Sequence, residues 1–292
     1  MSWLAEKLSN ITYSVINRSC NKLLIGKTYW KCVALPAILY GSNIIDWNKK
    51  ELDKLQIIQN NVCRRIMSAP RWATICALRG EIGLSSMADR INLSRLQYTR
   101  NRLTEGNDLI KIIIMELENN KGTWKMNSER ICNKYQLDKN EFKNLKKKEL
   151  TDKIRKFETA SWKEEMTKKK TLELYRKYKS QIKQEEDYYN DNKSKIWFQV
   201  KTNCLFFKKK NENNKCKICK EGNEDLNHFM LHCKKLSEIR KQHDAFQRPH
   251  IEYENELLSN IIYKNEDKEG IKAIVEKMWI KRLTLLKEEE NK

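Results

Sequence analysis

Helix-breaking residues are scarce in this chain of 292 residues, which contains only eight glycines and three prolines. Leucine and isoleucine recur at spacings of three and four residues, which place apolar side chains on one face of an α-helix. The segment from Leu4 to Ile16 shows this pattern. The segment from Asn48 to Ser68 shows it too, and Glu51 completes a helix cap with Asn48. We therefore expect a mainly α fold of helical bundle segments, with any strands short.

Further helices are predicted in both halves of the chain. Residues 109–117 are apolar on every side, so we expect that helix to be buried. Two amphipathic helices follow residue 251, divided near Gly270, and are expected to pack on a neighbouring module or on each other. The other predicted helices cover Leu23 to Tyr40, bent or ended by Pro36, Ala73 to Leu78, and Met87 to Leu103.

A cluster of cysteine and histidine is the strongest sign of a site. Cys216, Cys219, His228 and Cys233 follow the spacing C-x2-C-x8-H-x4-C, and four such ligands suit the tetrahedral coordination of zinc. The two leading cysteines lie in a polar, basic stretch that has no apolar core to join. His232 is the competing ligand, but it is adjacent to Cys233, and adjacent side chains point apart. The remaining cysteines are expected to be buried as small hydrophobic side chains: Cys20, Cys32, Cys63, Cys76, Cys132 and Cys204.

The charge of the chain is strongly basic. Lys and Arg number 59 against 39 Asp and Glu, a net charge of +20, and most of the surplus lies between residues 121 and 215. Such a surplus favours a polyanionic partner, nucleic acid before an acidic membrane, although Lys-rich helices can also be merely solvated. We expect phosphate contacts from three lysine runs and the zinc module: Lys146, Lys147, Lys148, Lys168, Lys169, Lys170, Lys208, Lys209, Lys210, Lys217 and Lys220.

Aromatic side chains are interleaved with these runs, and aromatic rings can stack on the bases of a single strand. For each individual ring we prefer the alternative, a place in the core of a helical bundle, because several lie at helical spacing. The rings are Trp162, Tyr175, Tyr178, Tyr188, Tyr189, Trp197, Phe198, Phe206 and Phe207.

Composition divides the chain into four stretches. These are a helical module at residues 1–120, a basic helical segment at 121–210, a small zinc-binding knuckle at 211–250 and amphipathic helices at 251–292. The first seven residues do not resemble a signal peptide. The longest apolar stretch, near residues 33–40, is shorter than the roughly 20 residues of a membrane helix. We expect a soluble intracellular protein, nuclear or cytoplasmic, without a membrane partner or small-molecule substrate.

Several segments resemble one protein family. Residues 35–42, 55–66 and 78–83 resemble the region that follows the polymerase domain in reverse transcriptases of non-LTR retrotransposons. Residues 172–179 and 216–240 are similar to the region, including the zinc-binding module, that closes those proteins. The resemblance implies that the Cys3His cluster binds zinc and that the module binds element RNA or target DNA.

The sequence also departs from that family. Its polymerase needs a Tyr/Phe-x-Asp-Asp motif, whose carboxylates hold Mg²⁺, and no Asp-Asp pair occurs here. The Pro-Asp of a related nuclease is missing as well. The leading hypothesis is a non-catalytic C-terminal fragment of such a reverse transcriptase that binds zinc and nucleic acid. The alternatives are a helical protein-interaction scaffold with a purely structural zinc site, an inactive remnant of a decayed element, and a metal-dependent nuclease.

Overall fold

The computed structural model describes residues 2–18, 21–120, 122–138, 141–188, 193–205, 215–247 and 254–291. Helices make up 75% of the structure, in fifteen α-helices with no strand among these residues, so the predicted mainly α fold class is confirmed. The chain forms two compact units. Unit 1 comprises Met1–Ile66, Leu78–Glu165 and Gln181–Gln184, and unit 2 comprises Met67–Ala77, Met166–Ser180 and Glu185–Lys292. Within the described part of the chain, no helix has the length and apolar character needed to cross a membrane.

The two units are defined by which residues pack together, whereas the four predicted stretches are defined by amino-acid composition along the chain. Helices of the basic segment up to residue 165 therefore share unit 1 with the N-terminal helices. The four-part division stays a prediction. Unit 1 contains the helices Ser2–Asn17, Lys22–Tyr29, Leu35–Leu39, Lys49–Ile66, Met87–Glu105, Asp108–Asn119, Thr123–Lys134, Glu141–Asn144 and most of Lys147–Thr167, and Ile75–Ile82 is divided between the units.

The predicted cap of the helix Lys49–Ile66 is confirmed. The Glu51 N–H donates to Oδ1 of Asn48 at 2.9 Å, and the Asn48 N–H donates to the Glu51 carboxylate at 3.1 Å. This reciprocal pair satisfies two of the N–H groups that a helix start leaves without partners. The sequence pattern therefore predicted that this helix exists and, through the cap at Asn48, where it begins.

The predicted helix from Leu23 to Tyr40 contains a π-helical turn, Trp30–Ala34, between its two α-helical parts. Pro36 follows the turn closely and has no N–H to donate to the preceding turn. The helix is wider at this turn, because the Leu35 N–H donates its hydrogen bond to the Trp30 carbonyl, five residues earlier. Trp30 and Ala34 occupy the core side of the turn, so Cys32 is exposed and its predicted burial is wrong. Four other cysteines are buried as predicted, Cys63, Cys76, Cys132 and Cys204, and Cys20 lies outside the described residues.

The helix Asp108–Asn119 is mostly exposed, so the prediction that it is buried is wrong. Of its side chains only Ile114 is buried, whereas Leu109 is 67% exposed, Ile112 is 56% exposed and Met115 is 53% exposed. The helices before and after it in the chain cover one face of it. The sequence does not indicate which face of this helix packs on its neighbours, because apolar side chains occur on all of its faces.

A polar cluster lies inside unit 1 around Asp89. Its Oδ1 accepts a hydrogen bond from the Tyr135 hydroxyl at 2.7 Å and lies 2.6 Å from Nζ of Lys134, while the Ser86 hydroxyl donates to its other oxygen at 2.6 Å. Burial opposes ionisation of Asp89, but the ammonium of Lys134 and these hydrogen bonds outweigh it and hold the pKa below its usual value.

Unit 2 is organised by its C-terminal helix, Lys268–Glu290. It packs on Ser194–Lys201, on Ser237–Arg240 and on the π-helical turn Asn260–Lys264. The predicted packing of the C-terminal helices is therefore confirmed. Unit 2 also contains the helices Glu173–Tyr178 and Glu254–Ser259, the π-helical turn His228–His232, and the 3-10 segments Lys170–Leu172, Glu186–Tyr188, Lys234–Leu236 and Asp244–Phe246.

Candidate metal centre

The first half of the candidate site is a tight loop that holds Cys216 and Cys219. Its ends pair in an isolated antiparallel bridge. The Cys216 N–H donates to the Gly222 carbonyl at 3.0 Å, and the Lys220 N–H donates to the Cys216 carbonyl at 2.9 Å. The chain reverses through Lys220 and Gly222, both in the left-handed region with φ of +64°. The reversal brings the two thiols to the same side of the loop.

Gly222 is required at its position for two independent reasons. Its φ of +64° lies in a region that residues with a side chain rarely adopt. In addition, a Cβ at this position would lie 2.7 Å from Nδ1 and 3.1 Å from Cε1 of His228. The glycine therefore allows the backbone of the loop to contact the imidazole ring directly.

The second half of the site is the π-helical turn His228–His232. The Asp225 carboxylate caps the turn, because its Oδ1 accepts the His228 N–H at 2.8 Å. The Cys233 N–H donates to the His228 carbonyl at 2.8 Å, and the Cys233 carbonyl accepts from the buried Arg240 guanidinium at 2.7 Å. These bonds orient a histidine and a cysteine, five positions apart, towards the same point.

The four predicted ligands meet at that point. The ligand atoms of Cys216, Cys219, His228 and Cys233 all lie within 4.8 Å of one another, and Cys219 Sγ lies 3.2 Å from His228 Nε2. Around a tetrahedral zinc ion with bonds of about 2.0 to 2.3 Å, ligand atoms are separated by about 3.3 to 3.8 Å. The group can therefore hold a metal ion, and its dimensions are compatible with zinc.

The three thiols interact closely with one another. A hydrogen bond from the Cys233 thiol lowers the pKa of Cys216 to about 4, helped by backbone N–H groups. The same bond raises the pKa of Cys233, and burial raises the pKa of Cys219. One thiolate is thus favoured among the three, and a bound cation would stabilise all three as thiolates.

His232, the competing ligand, lies outside the group. Its Nε2 is 2.9 Å from Oε1 of Glu254, and its side chain is 48% exposed. The turn therefore directs His228 into the cluster and His232 towards a different segment of unit 2.

Contacts that sequence reasoning missed join the site to the helix Lys268–Glu290. Glu224 pairs with Arg282, and both side chains are less than a tenth exposed. The rings of Phe229 and Trp279 pack edge to face, with centroids 5.8 Å apart. These partners are about 50 residues or more from the cluster, so no local pattern could reveal them. Gly222, in contrast, follows the second cysteine closely and could have been recognised as a turn residue.

The predicted phosphate-binding lysines are distributed over both units. Lys146, Lys147 and Lys148 are exposed in unit 1, at the start of the helix Lys147–Thr167. Residues 168–170, all lysines, are exposed in unit 2. Lys208, Lys209 and Lys210 lie outside the described residues.

Two further lysines belong to the cysteine loop itself. Lys220 is exposed, and its ammonium lies 2.8 Å from the carboxylate of Glu289. Lys217 is half-buried, and its backbone N–H donates to Glu224 at 3.2 Å. The loop therefore places two positive charges beside the metal cluster, one of them paired with a carboxylate.

Most aromatic rings of the basic segment belong to the core, which confirms the preferred interpretation. Five of them are 1% exposed or less: Trp162, Tyr175, Tyr188, Trp197 and Phe198. Tyr178 differs, because it is 36% exposed and stacks on Tyr263 with ring centroids 4.5 Å apart. Three rings lie outside the described residues: Tyr189, Phe206 and Phe207.

Comparison with known proteins gives no match. No protein-family model, no curated protein and no solved structure is significantly similar to this chain. The resemblance to non-LTR reverse transcriptases therefore stays a prediction, and the site is interpreted from its own geometry.

Proposed function

We propose that this chain is a non-catalytic nucleic-acid-binding protein with one structural zinc ion. The observation that carries the proposal is the convergence of Cys216, Cys219, His228 and Cys233, whose ligand atoms lie within 4.8 Å of one another. Three thiolates and one imidazole are ligands that zinc prefers, and together they complete a tetrahedron. A complete tetrahedron leaves no position for a water nucleophile, so the ion is structural and the nuclease alternative is disfavoured.

The charge of the chain supports nucleic acid as the partner. A net charge of +20 accompanies lysines that lie exposed in runs in both units. Lysine ammonium groups bind phosphates and release condensed counterions, which gives affinity without reading sequence. The ligand is RNA or DNA; neither a membrane surface nor a small-molecule substrate is part of the proposal.

We further propose that the chain is the C-terminal fragment of a non-LTR retrotransposon reverse transcriptase. Support comes from the sequence resemblance at residues 35–42 and 216–240. The chain also has no Asp-Asp pair for a polymerase centre. Element RNA and target DNA are the corresponding ligands.

The salt dependence of binding tests the proposed function. Fluorescence anisotropy would measure the affinity for single-stranded RNA, single-stranded DNA and duplex DNA over a range of salt concentrations. If five or six phosphates are neutralised, the logarithm of the binding constant should fall against the logarithm of salt with a slope of about −4 for single strands and about −5 for duplex.

A lysine variant sharpens that test. Changing Lys168, Lys169 and Lys170 together to glutamine should weaken binding to every sequence alike and flatten the slope. The matched control changes the exposed residues Lys49, Lys50 and Lys54 to glutamine, with the same loss of charge outside the basic segment. Unaltered affinity and slope in the first variant would show that its lysines are only a solvated face.

One observation favours a second function, a protein-interaction scaffold with a purely structural zinc site. The helix Asp108–Asn119 exposes Leu109, Ile112 and Met115 to solvent, and large exposed apolar patches often mark interaction sites. Absence of salt-dependent binding to any of the three nucleic acids would make this the leading function.

A further inference from the structure

Unit 2 contains a cavity of about 250 Å³ next to the segment that carries the four candidate ligands, residues 216–233. One wall is formed by Asp225, Leu226 and Asn227, which lie in the chain between the second and third metal-ligating residues. Other walls come from residues 170–177, from the end of the helix Ser194–Lys201 and from the segment that follows Glu254. The cavity is therefore built by the same unit that holds the metal cluster.

The cavity combines a small apolar surface with exposed polar side chains. Val200, Leu226, Leu258 and Ile262 are each 4% exposed or less and form a packed floor beneath it, whereas the half-buried side chain of Leu174 reaches the cavity. Tyr263 adds an aromatic wall, and its hydroxyl donates to the Lys201 carbonyl at 2.6 Å. Tyr263 is held in place a second time by the stacked ring of Tyr178. The polar side chains that line the cavity and are exposed to solvent include Lys170, Lys177, Asn203 and Asn255.

The charges around the cavity favour an anion at its rim. The side chains of Lys170 and Lys177 form no hydrogen bond or ion pair with any other residue that the structure describes. Lys201 also lines the cavity, but it is buried and its ammonium lies 5.4 Å from the ring centroid of Tyr188. Two carboxylates, Glu173 and Asp225, line the cavity as well, and Asp225 is occupied by the His228 N–H. Glu173 is exposed and has no partner among the described residues, so the rim offers a ligand two ammonium groups against one carboxylate, a net positive charge.

We propose that this cavity binds one nucleotide of a single-stranded nucleic acid. The base lies against Leu174 and the ring of Tyr263, and the adjoining phosphates contact Lys170 and Lys177. A volume of about 250 Å³ is many times the roughly 10 to 15 Å³ that one water molecule needs, which leaves room for a group as large as a single base. The amides of Asn203 and Asn255 can donate to and accept from a base edge, as unpaired bases require.

This inference rests on the proposed nucleic-acid binding and names a place where it occurs. It also predicts a preference for single strands, because a base in a duplex is paired and stacked and cannot enter a cavity. Ligands that offer only a backbone, such as duplex DNA, should still bind the exposed lysines.

A cavity-filling variant tests the inference. Asn255→Trp places a large side chain in the cavity without changing the charge. The matched control is Glu256→Trp, on the same helix and exposed but not part of the cavity wall; its loss of a negative charge cannot weaken the binding of an anion. Anisotropy would measure the affinity of both variants for a short labelled single-stranded RNA and for duplex DNA, and circular dichroism would confirm their helical content.

We expect Asn255→Trp to weaken binding of the single strand by about tenfold, within the range that one bound base contributes, and to leave duplex binding unchanged. Glu256→Trp should leave both unchanged. A second variant, Thr171→Trp, fills the same cavity from another wall, because Thr171 lines it and is exposed. It should show the same selective loss of single-strand binding, which keeps the inference testable if Asn255→Trp does not fold.

Three results would overturn the inference. Wild-type affinity of Asn255→Trp for the single strand would show that no base enters the cavity. Equal weakening for single strand and duplex would show that only the backbone is bound there. In both cases salt-dependent binding by the unaltered protein would leave the proposed function standing. If the unaltered protein binds no nucleic acid, the proposed function and the inference fail together.

Discussion

Replacing Gly222 by alanine should damage the metal centre without removing a ligand. The added Cβ would lie 2.7 Å from Nδ1 of His228, whereas ordinary contacts begin at 3.4 Å. The imidazole must therefore move by about 0.7 Å, and metal ligands tolerate displacements of only about 0.2 Å. The backbone adds a second cost of about 1 to 2 kcal/mol, because alanine is strained at a φ of +64°.

We expect zinc affinity in Gly222→Ala to fall by roughly tenfold to a hundredfold, the range seen when a residue that orients a ligand is changed. Competition for zinc with a chromogenic chelator would measure it. Gly41→Ala is the matched control, because Gly41 has a φ of +69° and an added Cβ would meet nothing within 4 Å. The control should lose a similar amount of stability and keep its zinc affinity. Wild-type zinc affinity in Gly222→Ala would refute the described contact between the loop and His228.

Three further predictions follow from other parts of the structure. Cys219→Ser should reduce bound zinc to less than about half an equivalent by elemental analysis, whereas His232→Ala should keep one equivalent, because only the first residue belongs to the cluster. Ile112→Lys should change the free energy of unfolding by no more than about 0.5 kcal/mol in urea titrations, whereas Ile114→Ala on the buried face should cost about 2 to 4 kcal/mol; the opposite order would contradict the described orientation of that helix. Asp89→Asn should lower the thermal unfolding temperature at neutral pH. Because the folded-state pKa of Asp89 is depressed, its contribution is present above about pH 4 and is lost as the pH falls through the lower folded-state value, so the gap between variant and wild type should close in acid.

Patterns within one helix or one loop predicted the corresponding structures well. Apolar spacing and a capping pair gave the helix Lys49–Ile66 nearly to the residue. Ligand type and spacing gave the four members of the metal cluster, and the argument against adjacent ligands favoured His228, the histidine that the structure includes in it. In each case the structure is determined by a few side chains that are close in the sequence, so a local sequence pattern is enough to predict it.

Features that depend on contacts between segments far apart in the chain could not be predicted from local sequence patterns. The helix Asp108–Asn119 is apolar enough for a core, but which face packs depends on helices whose positions the sequence does not reveal. Arg282 is another example, since a single arginine in a Lys-rich helix gives no sign that it pairs with Glu224 across more than 50 residues. The cavity in unit 2 has the same origin, because its walls come from four separate segments.

The contacts around the metal cluster determine how far the effect of a bound ion extends. Residues 216–233 carry the four candidate ligands. Within that segment, Glu224 pairs with Arg282 and Phe229 packs on Trp279, both on the C-terminal helix, which also packs on Ser194–Lys201. An ion that binds only the folded segment stabilises every element that must be folded with it. Arg282 and Glu224 are both buried, so unfolding of the segment would leave a buried charge without its partner, which costs several kcal/mol. An ion held by the four candidate ligands should therefore stabilise unit 2 as a whole, including the cavity wall at Leu226, and not only the residues that contact it.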